Sequence, residues 1–385
     1  MKKTINPVYD ITMLPASYGD SILINYGQNS DLKYILIDGG PYYALKEIGD
    51  SIKIHAPDLK EIELLIVTHI DADHIDGIIR MLHRGQLPFT IKEIWFNGYE
   101  QIKAFKDDEN CLLGYKQGEY LSALIKHKNV EHNKTYFGGK AVSIKNNDTP
   151  ICIKLAGGFK MLLLGPDEET LAEFAKNWEK ESANIGNVDV WLKSLESNPR
   201  YTDRALLGDD SIADLQAYKA DKDDSLENRT SIVFIGVYAG RSCLFAGDKP
   251  NDAMINVIQP LMDKRKVKKQ QLELDAWKVA HHGSRKSTLY TLMQKLSAPK
   301  LLISSDGKYY GFPNQDTIAK FLMYNQRPLT FYFNYLHKKN ERWDNDDLRN
   351  TYHYETEYGK EEQGIKISLI PPTVAPVTAA DHVKS

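Results

Sequence analysis

A buried strand that runs into an amphipathic helix is predicted between residues 62 and 83, where the chain reads IELLIVTHIDADHIDGIIRMLH. The run from Ile62 to Thr68 is apolar and rich in branched side chains, which is typical of a central strand. From His74 to His83 the apolar residues recur at helical spacing, which predicts a helix with one buried face. A strand, an acidic loop and a helix in this order place the loop at a sheet edge, where binding sites are commonly built.

The loop carries four side chains that can bind a metal ion. Directly after the strand, within six residues, the chain places His69, Asp71, Asp73 and His74. Neutral imidazole and carboxylate groups suit Zn, Mn or Fe. The alternative is a solvated polar loop with an aspartate that caps the helix, and Asp73 could serve as such a cap. Two histidines and two aspartates in this pattern favour the metal site.

Two later strand ends add further candidates. Residues 244–248 read LFAGD and end an apolar strand in Asp248, and residues 279–284 read VAHHGS and contain His281 and His282. Taken singly, the aspartate could be a turn residue, and the histidine pair could be packed or solvated. A site with two metal ions needs about six protein ligands from several strand ends, so these residues gain meaning together with the motif after the first strand.

The rest of the chain alternates strands and helices, which predicts the α/β class. Strands followed by helices occur in two halves, so we expect an αββα sandwich of two mixed β-sheets flanked by helices. Residues 1–370 are expected to form a single domain. Residues 195–228 are polar and charged, and we interpret them as an insertion or a mobile lid. The tail 371–385 is rich in Pro, Ala, Val and Thr and is expected to be disordered.

Composition disfavours several classes of protein. The formal net charge is −3, so no overall basic excess indicates a nucleic-acid binder, although a local basic patch is compatible with it. Cys111, Cys152 and Cys243 are far apart, so neither a disulfide framework nor a Cys-x-x-Cys metal site is expected. No apolar run reaches the length of a signal peptide or the ~18 residues of a membrane helix. We therefore expect a soluble cytoplasmic protein without a membrane partner.

These motifs together resemble the metallo-β-lactamase superfamily, and within it the branch that includes the soluble hydrolase domain of ComEC-type competence proteins. The resemblance covers residues 8 to about 320. It is carried by the stretches 18–21, 37–40, 69–74, 228–231, 245–248, 280–287 and 311–313. The 69–74 motif and Asp248 are specific to the superfamily, whereas the His-His-Gly-Ser run and Asp71 point to the branch.

The resemblance implies which residues hold the metals. By this resemblance the first ion would be held by His69 and Asp71. The second ion would be held by Asp73, His74 and His281. Asp248 would bridge the two ions. His281 is preferred over His282 because related hydrolases keep a histidine there when the next residue is not one. His282 would then orient the substrate or the ligands, and Asp38 would brace the motif loop through hydrogen bonds.

The implied reaction is hydrolysis by a metal-bound hydroxide, because bound metals lower the pKa of water from about 15.7 toward 7. Asp73 or Asp248 would shuttle the proton. Ser284 and backbone N–H groups near Gly283 would help to hold the developing oxyanion. Zn²⁺ is the expected metal, as two ions or as one, and Mn²⁺ is the alternative because the ligand set is rich in oxygen.

Three positions depart from the superfamily pattern. Gly165 stands where a further histidine ligand of the first metal is usual, and Asp76 and Phe312 replace the usual glycine and histidine. Unless Asp167 compensates, we expect the first metal site to be weak, filled only with substrate or absent.

The substrate class that the resemblance implies is a phosphodiester, in a nucleic acid or a nucleotide. Arg285 and Lys286, beside the histidine pair, could meet its phosphates, with a solvated loop as the alternative. The basic cluster at 264–269 is interpreted as solvated surface.

Two other functions stay open. One is hydrolysis of a small ester, lactone or amide in a pocket closed by residues 195–228. The other is a metal-poor binding or regulatory protein that acts with a partner, which Gly165 supports.

Overall fold

The computed structural model of the protein describes most of the chain. The described residues are 6–85, 88–105, 116–145, 150–178, 210–219, 222–264, 271–288, 290–324, 327–360 and 362–371. Within these ranges the α/β class expected from the sequence is confirmed, since mixed β-sheets and helices make up the fold.

The strands, in chain order, are β1 (Pro7–Met13), β2 (Ile22–Gln28), β3 (Asp31–Ile37), β4 (Glu61–Ile62), β5 (Leu64–Ile66), β6 (Thr90–Ile91), β7 (Glu93–Trp95), β8 (Glu131–His132), β9 (Ile151–Lys154), β10 (Lys160–Gly165), β11 (Val233–Tyr238), β12 (Arg241–Phe245), β13 (Leu272–Glu273), β14 (Ala276–Lys278), β15 (Leu296–Ser297), β16 (Lys300–Ile303), β17 (Leu329–Phe333), β18 (Tyr354–Tyr358) and β19 (Ile365–Ser368). The α-helices are α1 (Leu45–His55), α2 (Ala72–Arg84), α3 (Tyr99–Ile102), α4 (Lys116–His127), α5 (Lys134–Phe137), α6 (Glu168–Asn177), α7 (Ile212–Ala217), α8 (Leu226–Arg229), α9 (Asn251–Lys264), α10 (Tyr290–Met293), α11 (Gln315–Tyr324) and α12 (Asp346–Tyr352). Short 3-10 helices lie at Tyr42–Ala44, Lys103–Phe105, Ala156–Gly158, Ala280–Gly283 and Glu341–Trp343.

Two large sheets form the centre of the fold. One has the strand order β19-β1-β2-β3-β5-β7-β8, and its neighbours from β3 to β8 are parallel. The other has the order β18-β17-β16-β14-β12-β11-β10-β9, and its neighbours from β18 to β12 are parallel. The other pairs in each sheet are antiparallel, so both sheets are mixed. The pairs β4-β6 and β13-β15 form two small sheets.

The two large sheets pack face to face across one hydrophobic core. Tyr9, Ile11 and Met13 of β1 all point into this core, because side chains alternate between the two faces of a strand. The ring of Tyr9 meets the ring of Phe159, just before β10, edge-on at a centroid distance of 5.4 Å. The layering is compatible with an α/β sandwich.

Helices cover the outer faces of the sheets. On the first sheet, α2 buries Ile75 and Ile78 in a second core, which also receives Leu65 from the outer face of β5. Each such buried side chain contributes about 1.5–3 kcal/mol of transfer free energy. On the second sheet, the ring of Phe321 from α11 packs edge-on against Trp277 of β14 at 5.2 Å.

Most elements expected from the sequence are present with ends shifted by a few residues. The sequence pattern predicts a helix from 287 to 296; the described residues of this stretch form a helix at Tyr290–Met293 (α10), and Leu296 belongs instead to β15. The sequence does not indicate the strands after residue 325. Of these, β19 pairs antiparallel with β1, which brings residues 365–368 into the first sheet.

The polar stretch 195–228 is described only in part, because residues 195–209 and 220–221 lie outside the described ranges. Its described part contains a packed helix: Ile212 and Leu215 of α7 are buried in the same hydrophobic cluster as the second sheet, and Gln216 Nε2 donates to the carbonyl oxygen of Ala319 in α11. Residues 372–385 of the expected tail and residues 265–269 of the basic cluster also lie outside the described ranges. None of the described helices is both long enough and apolar enough to span a lipid bilayer.

Candidate metal centre

Ends of parallel strands from both sheets supply the candidate site. On the first sheet, Asp38 follows β3 and His69 follows β5. On the second sheet, Asp248 follows β12 and His282 follows β14. Neighbouring parallel strands end at the same edge of their sheet, and ligands of α/β proteins bind beyond that edge. The topology therefore explains how residues distant in the chain come together.

The first turn of α2 supplies two more side chains. Asp71 is the N-cap residue of this helix, but its carboxylate makes no capping hydrogen bond. Asp73 and His74 lie in the first turn, with exposed fractions of 8% and 0%. Asp73 Oδ2 lies 3.3 Å from Nε2 of His282, so this carboxylate faces the strand ends of the second sheet. Helix capping by Asp73, the alternative considered for this loop, does not describe its position.

Two groups of three side chains have ligand atoms that lie within 4.8 Å of one another. One group consists of His69, His74 and Asp248, and the other of Asp73, His74 and His282. His74 Nε2 lies 3.3 Å from Asp248 Oδ1. Because His74 belongs to both groups, the two groups form one cluster.

Several buried polar atoms of this cluster face one another at 3.3 Å or more without forming a hydrogen bond. Hydrogen bonds are lacking at four ligand atoms: Nε2 of His69, His74 and His282, and Oδ1 of Asp248. A buried polar atom left in this state costs about 1–3 kcal/mol, and most buried polar groups in proteins are paired. Imidazole nitrogen and carboxylate oxygen are common ligands of transition metals. These buried groups could therefore hold a metal ion.

Hydrogen bonds to the opposite ring nitrogens hold two of these imidazoles in position. His74 Nδ1 lies 2.8 Å from Asp38 Oδ2. His282 Nδ1 lies 2.9 Å from the carbonyl oxygen of Ser304. Metal-binding histidines usually donate their second N–H to a carboxylate or a carbonyl in this way, which leaves Nε2 for the ion.

Asp38 connects β3 to the motif loop. It is fully buried, and its carboxylate accepts hydrogen bonds from the backbone N–H of Thr68 at 2.8 Å and from the Thr68 hydroxyl at 2.7 Å. The same hydroxyl lies 3.0 Å from Nδ1 of His69. Together with the contact to His74, these hydrogen bonds fix both ends of the motif loop.

Charges within the cluster shift its pKa values in opposite directions. Burial raises the pKa of the Asp248 carboxyl, but the histidines, His74 foremost, hold it well below its usual range. Burial lowers the pKa of His74, but Asp248 and Asp73 raise it well above the usual histidine value. The carboxylates therefore stay ionised and attract positive charge, which a divalent cation would supply.

The structure differs from the expectation at the histidine pair. The residue that joins Asp73 and His74 in a ligand group is His282, not His281. Both members of the pair have left-handed backbone conformations, with φ of 47° and 53°, which are uncommon for residues other than glycine. The chain therefore turns sharply between them, and their rings stand at 79° to each other. The choice between two identical neighbours depends on this turn, which the sequence does not reveal.

His281 occupies a separate position between the cluster and solvent. Its Nδ1 lies 2.7 Å from Ser287 Oγ and 3.2 Å from Asp223 Oδ2. Its Nε2 lies 3.7 Å from Asp248 Oδ2, and its side chain is 23% exposed. The side-chain amide of Asn228 donates to Asp223 Oδ2 at 2.9 Å. Asp223 lies in the polar stretch 195–228 and carries no local sequence signal for a site residue.

A buried ion pair stands behind His282. Lys278 Nζ lies 2.6 Å from Asp20 Oδ2, and the two side chains are 1% and 2% exposed. Asp20 Oδ1 in turn lies 3.5 Å from Nδ1 of His282. Asp20 falls within the 18–21 motif of the sequence, but nothing local indicates a lysine partner 258 positions later.

A lysine lies against Gly165, the position of the missing histidine. A Cβ atom at Gly165 would lie 3.3 Å from Cε and Nζ of Lys249. Lys249 is buried, donates to the carbonyl oxygen of Arg229 at 2.6 Å, and has a pKa lowered by burial to about 8. Asp167 caps α6 instead, accepting from the backbone N–H of Thr170 at 2.8 Å. Among the described residues, Asp167 belongs to neither ligand group.

Two further expected residues lie at the margin of the cluster. Asp71 Oδ2 is 3.6 Å from Nε2 of His69, but its side chain is 40% exposed and it belongs to neither ligand group of the described chain. Ser284 is buried, and its backbone N–H donates to the carbonyl oxygen of His281 at 2.7 Å. That N–H is therefore already used within the protein, and a role of Ser284 at a substrate oxyanion would depend on its side-chain hydroxyl.

Arg285 and Lys286, the two basic residues expected to bind a substrate phosphate, differ in their contacts within the protein. The guanidinium of Arg285 lies 3.0 Å from Asp316 Oδ1 and packs over the ring of Tyr218 at 4.4 Å. Arg285 is thus engaged within the protein, and a phosphate would have to compete with Asp316 for it. Lys286 is exposed.

A scan against models of known protein families and a search of curated proteins found no match to this chain.

Proposed function

We propose that this protein is a metal-dependent hydrolase of phosphodiesters with a metallo-β-lactamase-like αββα fold. The observation on which the proposal depends is the set of buried ligand atoms without hydrogen-bond partners in His69, His74, His282 and Asp248. Two mixed sheets that pack face to face with helices outside support the finer fold assignment. The motifs at 69–74, 245–248 and 280–287 support the reaction class through the resemblance that they carry.

One ion is best supported by the group Asp73, His74 and His282, with Asp248 as a further ligand. His74 offers a single free nitrogen, because its Nδ1 is already bonded to Asp38. One nitrogen binds one ion, so His74 cannot serve both ligand groups at the same time. This favours a single firmly held ion.

A second ion would depend on His69 and Asp71, with the remaining oxygen of Asp248. The further histidine of the superfamily pattern is absent there, since Gly165 stands at that position. Lys249 occupies the space beside this glycine, and a positive charge there disfavours a neighbouring cation. We therefore expect the second ion to bind weakly.

The donor set favours Zn²⁺. Imidazole nitrogens with one or two carboxylates form the usual catalytic zinc site. Mn²⁺ is the second choice, because Asp73, Asp248 and Asp71 together provide several hard oxygen ligands.

The chemistry needs a cation and a proton carrier. A divalent cation held in the cluster would activate water and stabilise the negative charge that develops on the phosphate. His281 is placed to hold or move a proton at Nε2, which faces Asp248 at 3.7 Å, and its side chain is partly exposed to solvent. Asp223 and Ser287 fix the imidazole from its Nδ1 side, as the orienting partner of a general acid or base does. Lys286 is exposed and near in sequence, so it remains a candidate for binding a phosphate.

The test is hydrolysis of bis-p-nitrophenyl phosphate by purified protein with added Zn²⁺ or Mn²⁺. The wild type should cleave this diester, and His74→Ala should reduce the rate by about 100-fold or more while the protein still folds. His127→Ala, which changes an exposed histidine at the end of α4, is the matched control and should leave the rate unchanged. Cleavage of p-nitrophenyl acetate alone would favour the small-ester alternative. Equal rates for wild type and His74→Ala would refute the proposal.

A further inference from the structure

Four aromatic side chains lie in two loops next to the metal cluster, and the proposed function does not use them. We call Tyr18, Tyr309, Tyr310 and Phe312 the aromatic platform. Tyr18 lies in the loop before β2, and the other three lie in the loop between β16 and α11. The two loops come from different sheets and meet at the edge where the ligand residues lie.

The platform reaches from a metal-ligand histidine to solvent. The ring of Phe312 is nearly parallel to that of His282, at a centroid distance of 6.4 Å and an angle of 19°. Tyr310 is in turn nearly parallel to Phe312, at 5.6 Å and 24°. Tyr310 is 40% exposed, whereas His282 is fully buried. Successive rings therefore connect the buried cluster to an accessible aromatic surface.

The hydroxyl end of the platform lies close to the carboxylates of the site. Burial, and after it the negative charge of Asp73, raises the pKa of Tyr310, with smaller effects from Asp71 and Asp248. The same two causes, burial first and then Asp73, raise the pKa of Tyr18. Both phenols therefore stay neutral.

Neighbouring rings hold Tyr310 in place. Tyr309 meets it edge-on at 4.4 Å, and Tyr18 meets it edge-on at 5.7 Å. Tyr18 and Tyr309 are stacked on each other at 4.7 Å. The backbone carbonyl of Phe312 accepts a hydrogen bond from the Ser305 hydroxyl at 3.1 Å. A surface fixed in this way loses little conformational entropy when a ligand binds.

Core packing is the competing explanation for a cluster of aromatic residues. Among the described residues, none of the four platform rings belongs to either hydrophobic core or packs against one. Because the side chain of Tyr310 is 40% exposed, its burial contributes little to the free energy of folding. The platform therefore serves stability poorly, and ligand binding accounts for it better.

We infer that the aromatic platform is a specificity subsite that stacks a nucleobase while the attached phosphate lies at the metal cluster. Planar aromatic side chains bind bases by stacking, which is tolerant of base identity. The inference rests on the proposed function in one respect, since it places the phosphate of the ligand at the proposed metal. It narrows the substrate class to phosphodiesters that carry a base next to the scissile phosphate.

Calorimetric binding to the zinc-loaded protein tests the subsite without requiring catalysis. AMP, ribose 5-phosphate and hexyl phosphate serve as probes, since they share a phosphate and differ in the attached group. The wild type should bind AMP about tenfold more tightly than ribose 5-phosphate or hexyl phosphate. Tyr310→Ala should remove this preference, and Tyr310→Phe, which keeps the ring, should retain it. Tyr290→Ala, an exposed tyrosine stacked on Tyr324 outside the platform, should change nothing.

The outcomes separate this inference from the proposed function. Equal affinity of the wild type for AMP and ribose 5-phosphate would overturn the subsite, even if diesters are cleaved. Hexyl phosphate that binds as tightly as AMP would also overturn it, because the surface would then select apolar rather than planar groups. A preference for AMP that depends on Tyr310 would support the subsite even if no diester is hydrolysed, and only the proposed reaction would then fail. Cleavage of thymidine 5′-p-nitrophenyl phosphate faster than methyl p-nitrophenyl phosphate would support both.

Discussion

Oδ2 of Asp38 lies 2.8 Å from Nδ1 of His74, and both side chains are fully buried. The contact determines which nitrogen of His74 faces the cluster, because the carboxylate accepts the Nδ1–H and directs Nε2 to the place where a metal would displace its proton. The same carboxylate accepts two hydrogen bonds from Thr68. One residue that does not belong to the ligand groups thus determines the position of the motif loop and the orientation of His74.

Replacement of Asp38 by asparagine should weaken metal binding without removing a ligand. The amide cannot accept from Nδ1 of His74 as strongly as the carboxylate, so we expect a 10–100-fold lower zinc affinity, about the effect of removing such supporting contacts elsewhere. Competition with a chromogenic chelator measures this affinity. Asp31→Asn, at the exposed start of β3, is the matched control and should bind zinc like the wild type. An unchanged affinity in Asp38→Asn would show that the contact does not support the metal.

The two neighbouring histidines should separate metal binding from catalysis. His282→Ala removes a member of a ligand group, so we expect loss of tightly bound metal and of activity. His281→Ala should keep the metal and lower kcat by about 100-fold, the usual effect of losing a proton carrier. Elemental analysis and steady-state kinetics of the two variants measure this. If His281→Ala lost the metal and His282→Ala kept it, His281 would be the ligand, as the sequence resemblance implies, and His282 would not.

The buried pair of Asp20 and Lys278 should matter for stability more than surface ion pairs do. Asp20→Asn leaves the Lys278 ammonium buried without a counter-charge, which typically costs about 3–5 kcal/mol in free energy of unfolding. The double variant Asp20→Leu/Lys278→Met should recover much of this loss because both charges are removed. Urea unfolding measures both effects, with the exposed Asp50→Asn as a control that should change little. A fully stable Asp20→Asn would contradict this description of the pair.

The loop region near the aromatic platform should make the protein acid-sensitive through His337. Burial, with the nearby Lys339, lowers the pKa of His337 to about 4, and a Cβ at Gly307 would clash with its ring. In the unfolded chain His337 binds a proton near pH 6.5, whereas in the folded chain it binds one only near pH 4. The contribution of His337 to the free energy of unfolding should therefore fall by up to about 3 kcal/mol as the pH drops through this window and level off below it. In His337→Gln the free energy of unfolding should depend less on pH between 6.5 and 4, and an identical pH dependence would exclude His337 as the cause.

Local patterns in the sequence predict a large part of this fold. The strand at residues 64–66 and helix α2 follow from a branched apolar run and from helical spacing. The sequence pattern also predicts a helix from 315 to 324, and α11 has these bounds. The candidate ligands His69, Asp73, His74 and Asp248 could be identified because each follows a strand within a few residues. Elements with weak local patterns were harder to infer: β19 is short and depends on its partner β1 for stability.

Features that depend on tertiary contacts could not be predicted. The distinction between His281 and His282 requires the left-handed turn between them. Asp223 comes from a charged stretch that resembles a solvated loop, yet it reaches His281. Lys249 fills the space beside Gly165 only because β10 and the chain after β12 are neighbours in the folded protein. In each case two segments distant in sequence determine the role, and no local pattern records it.

Direct measurement of bound metal tests whether the cluster of His74, Asp248 and their neighbours holds a metal ion. After dialysis with Zn²⁺ and removal of loose ions, elemental analysis of the wild type should give about one zinc per chain, as expected for a cluster with one free nitrogen on His74. The His74→Ala and Asp248→Asn variants, folded by circular dichroism, should retain little. Wild-type protein that holds no metal after this treatment, or variants that hold as much as the wild type, would contradict the account.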